Sequence, residues 1–209
     1  MQKFVWFILL ASFLIIIFGG IFLWAEIGKQ IDDFTATTPG VKFEPLENYE
    51  ILETQEGTIV RNENAGLIFQ VPNGWSAHKT EAGLEQWIIN INSPDLMADE
   101  KGFLTQGCGI SAWVEYDEFS ANAVRHRIQD PERFSEELLF GKYETTEVSN
   151  LLSLKMILDN PSWGQSIGTK TPIKNRIYVF DTRILPEEEK CLNDFNNFLN
   201  NISIETSLF

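Results

Sequence analysis

Hydrophobic positions along this chain fall into three regimes: one unbroken apolar run, a series of period-two stretches, and one strongly amphipathic helix. The run is Phe4 to Ala25, 22 residues without a charged side chain. At about 1.5 Å per residue it makes roughly 33 Å of helix, enough to cross a hydrocarbon layer of about 30 Å. Ile27, Ile31 and Phe34 share a helical face and extend it, and TATTPG at 35–40 ends it. From Val41 to Asn64 the chain is polar and acidic, which reads as a tether passing into a domain edge, with a short strand at Thr58 to Arg61. The expected organisation is therefore 1–34 membrane anchor, 35–64 tether and edge, and 65–209 folded domain.

Within that domain, alternation predicts strands. Leu67, Phe69 and Val71 point one way, Pro72-Asn73-Gly74 is a turn, and Trp75 restarts an extended run, so a hairpin is expected. Trp87, Ile89 and Ile91 share a face. Cys108, Ile110, Ala112, Val114 and Tyr116 oppose Ser111, Trp113 and Glu115. These patterns suit half-buried antiparallel strands. Leu152, Leu154, Met156 and Leu158 are expected inward on another strand, and the last strand spans about Arg176 to Leu185. Between them, 159–172 is rich in turn-forming residues and reads as a long loop of the kind that carries function.

Three segments have helical period. Ala121, Val124 and Ile128 make a stripe over Phe119 to Gln129. Asp130-Pro131 is an N-cap with Pro at the first helical position, followed by Phe134, Leu138 and Leu139, with Gly141 as the stop. After Pro186, Glu187, Glu188 and Glu189 occupy a first turn where the helix dipole favours anions. Cys191, Phe195, Phe198, Leu199 and Ile202 then form the apolar side against a wet side of Asn193, Asp194, Asn196, Asn197, Asn200 and Asn201. The whole is an α+β fold, an antiparallel sheet packed by helices as an α/β/α sandwich, preceded by one transmembrane helix.

Composition sharpens the location. A cleaved signal peptide has a shorter apolar core, and a cut after Ala25 would put Leu23 at minus three, so the run is expected to be a retained anchor. Trp6 and Trp24 mark its two interfaces, and Lys3 on the short side against Glu26, Asp32 and Asp33 on the long side puts the tail inside and the domain outside. Gly19 and Gly20 have no small residue four positions away, so no helix-dimer seam is indicated. All 30 Asp and Glu lie beyond the anchor and all Lys and Arg but Lys3, leaving the outer body a formal −15. That sign excludes nucleic-acid binding. Cys108 and Cys191 both face inward and could meet as a disulfide in an oxidising compartment, the alternative being two separately buried small hydrophobes.

Two stretches carry a resemblance. Phe69-x-Val71-Pro72-x-Gly74-Trp75 and Cys191-x-x-x-Phe195-x-x-Phe198 with Ile202 resemble the opening strand and closing helix of the PsbP/Mog1-like group. That group is extracytoplasmic in many bacteria and lumenal in photosynthetic membranes. The resemblance covers about Gly66 to Ile204, though the matching motifs span only some 20 residues. It implies an accessory or assembly role and supplies no catalytic residue. An anchor stands where a transit peptide would, so a photosystem role is not implied.

Few residues suggest chemistry. Neither His78 nor His126 has a neighbour that makes a site, and no nucleophile elbow, zinc-helix motif, phosphate loop or dinucleotide fingerprint is present. The Gly-rich stretch at 102–109 reads as a strand entry. Arg125, His126 and Arg127 form the one basic cluster and are expected to pair with Glu132, Glu136 or Glu137. Asp95, Asp99 and Glu100 are a weak acidic-loop candidate for Ca²⁺, lacking the alternate-residue spacing of a calcium loop. Asn201-Ile-Ser203 matches a glycosylation acceptor on a helix face. The expected function is a single-pass, membrane-anchored extracytoplasmic domain that binds an envelope protein partner non-catalytically, without a cofactor. The alternatives are a carboxylate-based extracytoplasmic hydrolase and a divalent-cation-binding module.

Overall fold

In the computed structural model the described residues are 41–81, 87–100, 104–136, 138, 140–160, 164–186 and 189–206. The anchor expected at Phe4 to Ala25, its extension and the 35–40 breaker lie outside them. Among the described residues no helix is long and apolar enough to cross a membrane.

Strand β9 (Gly109–Tyr116) lies at the middle of the larger sheet because both of its faces have apolar work to do. Ile110, Ala112 and Val114 are buried on one face and Trp113 on the other. On one side it pairs with β13 (Arg176–Ile184), followed outward by β12 (Gly164–Ile173), β11 (Leu151–Asn160) and β10 (Gly141–Val148). On its other side are β6 (Trp87–Asn92), then β5 (Ser76–Glu81), with β1 (Lys42–Phe43) against the far end of β9. Every pairing is antiparallel.

The inner face packs on a second sheet ordered β14 (Ile202–Ile204), β4 (Leu67–Gln70), β3 (Gly57–Asn62), β2 (Glu50–Thr54), and on helix α3 (Glu189–Asn200). Phe180 of the large sheet, Phe69 of the small sheet and Phe198 of α3 meet edge to face, with centroids 5.3 to 6.5 Å apart. The outer face is covered by α1 (Glu118–Gln129), whose Ala121 and Val124 pack on Trp113, Leu154, Ile177 and Val179. Asp117 caps this helix by accepting from the Phe119 and Ser120 amides. A short strand pair, β7 (Met97–Ala98) and β8 (Leu104–Gln106), stands apart. The layers are thus helix, sheet, and a composite of sheet and helix, an α+β arrangement whose third layer is more β than expected.

Several elements differ from the sequence reading. Residues 41–64, expected as tether and edge, carry β1, β2 and β3, with Tyr49 and Val60 each 1% exposed. Their pattern hides this because two polar side chains go inward with partners. Glu44 accepts from Asn48 Nδ2 at 2.7 Å and from the Tyr116 hydroxyl, and Asn62 Oδ1 accepts from the Ala65 amide at 2.9 Å. Pro72 to Gly74 does form a turn, with Trp75 N donating to Pro72 O at 3.0 Å and Gly74 at φ 81°. It does not close a hairpin, since β4 belongs to the small sheet and β5 to the large one.

The largest difference is at 159–172. Apart from 161–163, which lie outside the described residues, this stretch is the end of β11 (159–160) and strand β12, which pairs with β11 and β13. Its Gly, Ser, Gln and Pro content argues against a strand, yet neighbours on both sides override local propensity. Thr169 and Thr171 are fully buried, and the Thr171 hydroxyl bonds Ser153 Oγ at 2.7 Å. Pro172 sits past Lys170, the last β12 residue paired with β11. Strand β11 has both faces covered, so both parities bury residues: Leu154 goes under α1 and Ile157 to the inner face, while Leu152 is 56% exposed. Helix α2 (Pro131–Ser135) ends early, with Phe134 only half-buried. Gly141 opens β10, where a Cβ would collide with the Ile157 carbonyl oxygen. Helix α3 stops at Asn200, and Ile202 pairs with Phe69 in β14 rather than extending the helix.

This packing makes truncation costs unequal. Phe198→Ala is expected to lose about 3–5 kcal/mol in denaturant unfolding, and Leu152→Ala to stay within about 0.5 kcal/mol of the parent.

Candidate functional site

Cys108, immediately before β9, and Cys191, in the first turn of α3, are joined by a disulfide, with Cα atoms 5.3 Å apart across 83 residues of sequence. Thr182 of β13 supports the junction. Its hydroxyl donates to Gly109 O at 2.8 Å and lies 3.7 Å and 3.5 Å from the two sulfurs.

Beside the bridge opens a concavity of about 520 Å³, bordered by Ser93, Asp95, Glu189, Lys190 and Asp194. A second of about 240 Å³ is bordered by Gln70, Pro72, Asn73, Asp194, Asn197 and Asn201. Asp194 is common to both, so they form one groove along α3. Lys190, Asp194 and Asn197, with Asn201 in the following turn, recur at helical spacing and make one polar stripe about 16 Å long. The disulfide and Phe198 lie beneath it.

Of the acidic-loop candidates, only Asp95 borders this groove. A hydrogen bond from Ser93 holds its carboxyl below the usual range, with help from a backbone amide and from Lys190. Asp99 and Glu100 are exposed on the loop after β7. Among the described residues no three of His, Cys, Asp and Glu stand together as a metal site requires. His78 is exposed on edge strand β5, and His126 is exposed on α1. Among the described residues no ion pair joins the two arginines beside His126 to Glu132 or Glu136, and Glu137 lies outside those residues. Arg125 donates to Asn122 and to the Lys174 carbonyl, and Arg127 lies over the rings of Phe134 and Tyr143 at 5.6 and 5.7 Å.

One polar group escaped the sequence reading. Register places His78, Asn90, Ser111, Asp181 and Gly168 side by side on the outer face, one from each of five consecutive strands. Asn90 Nδ2 donates to Thr80 Oγ1 at 2.9 Å, and Ser111 Oγ donates to Asn90 Oδ1 at 3.0 Å. Ser111 also bonds Asp181 and favours its ionised form, so its hydroxyl donates to the carboxylate, which it can do with the Asn90 amide turned to offer Nδ2. Burial dominates and pushes Asp181 from its ordinary 3.8 up to about 6, opposed by Ser111 and Lys170. In the sequence each member is simply the polar alternate of a strand, and only strand order aligns them.

At the far end of β9, Arg176 lies over the Tyr116 ring at 5.1 Å, and Tyr178 donates to Ala65 O at 2.5 Å. Burial raises the hydroxyl pKa of Tyr49, Tyr116 and Tyr178, so these phenols are protonated struts around Glu44.

No protein-family model and no curated protein matches the chain. Among solved structures it is similar to cyanobacterial PsbP (CyanoP) from Synechocystis sp. PCC 6803, in a solution structure. Identity is 10% and TM-score 0.44, over 77% of this chain and 95% of that one. It is also similar to a crystal structure from Bacteroides thetaiotaomicron VPI-5482, at 10% identity and TM-score 0.43 over 68% of this chain. The chain spans about half of that protein, 46% of its length. Likeness at this level carries no function across.

Two outcomes follow from the geometry. Replacing Cys108 and Cys191 by Ser, which reopens a long loop in the unfolded chain, is expected to cost about 2–5 kcal/mol by chemical denaturation. Asp181 binds its proton more tightly folded than unfolded. Its contribution is therefore complete below pH 3.8 and lost as pH rises through about 6. Asp181→Asn should flatten the stability profile between pH 4 and 7 and raise stability at pH 7.5 by on the order of 3 kcal/mol. An unchanged slope would show that another group titrates.

Proposed function

We propose that the chain is a single-pass membrane protein, with a short inner tail and an acidic extracytoplasmic domain that acts non-catalytically as a binding, accessory or assembly factor. The observation that carries this reading is the Cys108–Cys191 disulfide. Such bridges persist in oxidising compartments, and the 22 uncharged residues from Phe4 to Ala25 give the chain the means to place its body there. The groove along α3 is the binding surface. It is shallow, bordered by side-chain amides and carboxylates, and floored by a structural bridge, which suits recognition better than turnover. Asp95 is held ionised, the opposite of what a general acid needs.

The test is topological. In sealed vesicles with the outer surface exposed, added protease should digest the body and spare the inner tail, alkaline washing should not release the chain, and denatured, unreduced protein should show no free thiol. A protected body, release by alkali, or two labelled thiols would overturn the reading.

A further inference from the structure

We propose that the end of the domain at which the chain enters β1 is a membrane-contact face, docking through Phe119 and surrounding cations on the anionic bilayer that holds the apolar run. This rests on the anchored reading and goes beyond it, since a tether alone selects no face.

Strand register gathers the elements of this end. Lys42, Tyr116, Arg176 and Ile173 stand side by side on β1, β9, β13 and β12. Beyond that row lie the Lys174-Asn175 turn and the first two turns of α1, tied together by Asp117 N donating to Asn175 O at 3.0 Å and by Arg125 donating to the Lys174 carbonyl. Phe119 stands here 78% exposed. Val41 and Leu152, the latter paired across to Glu147, are exposed at the same end. An aromatic ring held in water contributes nothing to the fold, and moving it to the headgroup boundary recovers the free energy of its burial.

Charge points the same way. The outer body has 30 carboxylates against 15 cations, yet around Phe119 the balance reverses. Glu44 and Glu115 are buried and hydrogen-bonded, and Asp117 is spent on capping α1. That leaves the exposed Glu118 against Lys42, Arg125, Lys174 and Arg176. Anionic headgroups attract this end and repel the rest of the body.

The place where the chain joins the domain selects lipid over an acidic protein as the occupant. Only the 15 residues 26–40 separate the run from Val41, a reach of at most about 50 Å. Docking is thus intramolecular, and a small patch suffices. Because Cys108 precedes β9 and Tyr116 closes it, docking turns the disulfide end of the α3 groove away from the bilayer, toward partners.

Fluorine NMR on the full chain in lipid nanodiscs tests this, with a gadolinium chelate on the lipid headgroups and 4-trifluoromethylphenylalanine in place of Phe119 or of Phe140. Phe140 is the reference, being 66% exposed beside Gly141 at the opposite end of the sheet. In discs containing phosphatidylglycerol the label at 119 should relax faster than the label at 140, and pure phosphatidylcholine should reduce the difference. Lys42→Gln combined with Lys174→Asn should lower the ratio of docked to free domain about thirtyfold. Both lysines are exposed, and Asn tolerates the φ of 50° at position 174, so this variant should keep the parent melting temperature. Equal relaxation at the two positions, or a signal at 119 indifferent to phosphatidylglycerol and to the double variant, overturns the proposal and leaves the anchored reading standing. A chain that does not enter the discs overturns both.

Discussion

Three phenylalanines hold three elements together. Phe180 belongs to the large sheet, Phe69 to the small sheet and Phe198 to α3, and their rings meet at the centre of the inner core. Remove that junction and the small sheet and α3 lose their common support. The Cys108–Cys191 bridge pins the same helix a second time, two turns earlier, to the strand that organises the large sheet. Held at both points, α3 cannot slide or roll against β9.

That immobility is what makes the groove credible as a binding surface. Its one wall is a helix stripe and its other is turns, so the geometry depends on how firmly the helix sits. A preorganised surface avoids the ordering cost that a mobile one would meet on association. The apolar side of α3 supplies the fixity and the polar side lines the groove, and both come from one 12-residue helix.

The outer face makes a different use of polarity. Asn90, Ser111 and Asp181 occupy positions that a one-sided sheet would leave wet, but α1 covers part of that face and burial raises the Asp181 carboxyl toward neutral pH. Ser111 and Lys170 both favour the carboxylate, so the ionised form suffers from desolvation and not from a missing partner. The domain carries this cost away from the groove. At the opposite end of β9, Glu44 and its tyrosines perform a simpler task, closing β1 onto the sheet.

Much of the fold was legible where local pattern and tertiary environment agree. The alternation of Cys108, Ile110, Ala112 and Val114, the stripe of α1, the cap at Asp130 and the inward cysteines follow from local spacing, although β9 also buries Trp113 and Glu115 on its other face. The apolar run at 4–25 is likewise a statement of sequence alone. Tertiary structure decided the rest. Strand β12 looks like a loop because its stability comes from two neighbours rather than from its own propensity. Leu152 and Leu154 look equivalent, and the layer above them sends one to solvent and the other to the core. The groove joins Gln70 and Asn73 to α3, and the polar row joins five strands. Sequence specifies which residues are polar, but which polar residues become neighbours is set by strand order and helix docking, contacts between distant positions that no local period encodes.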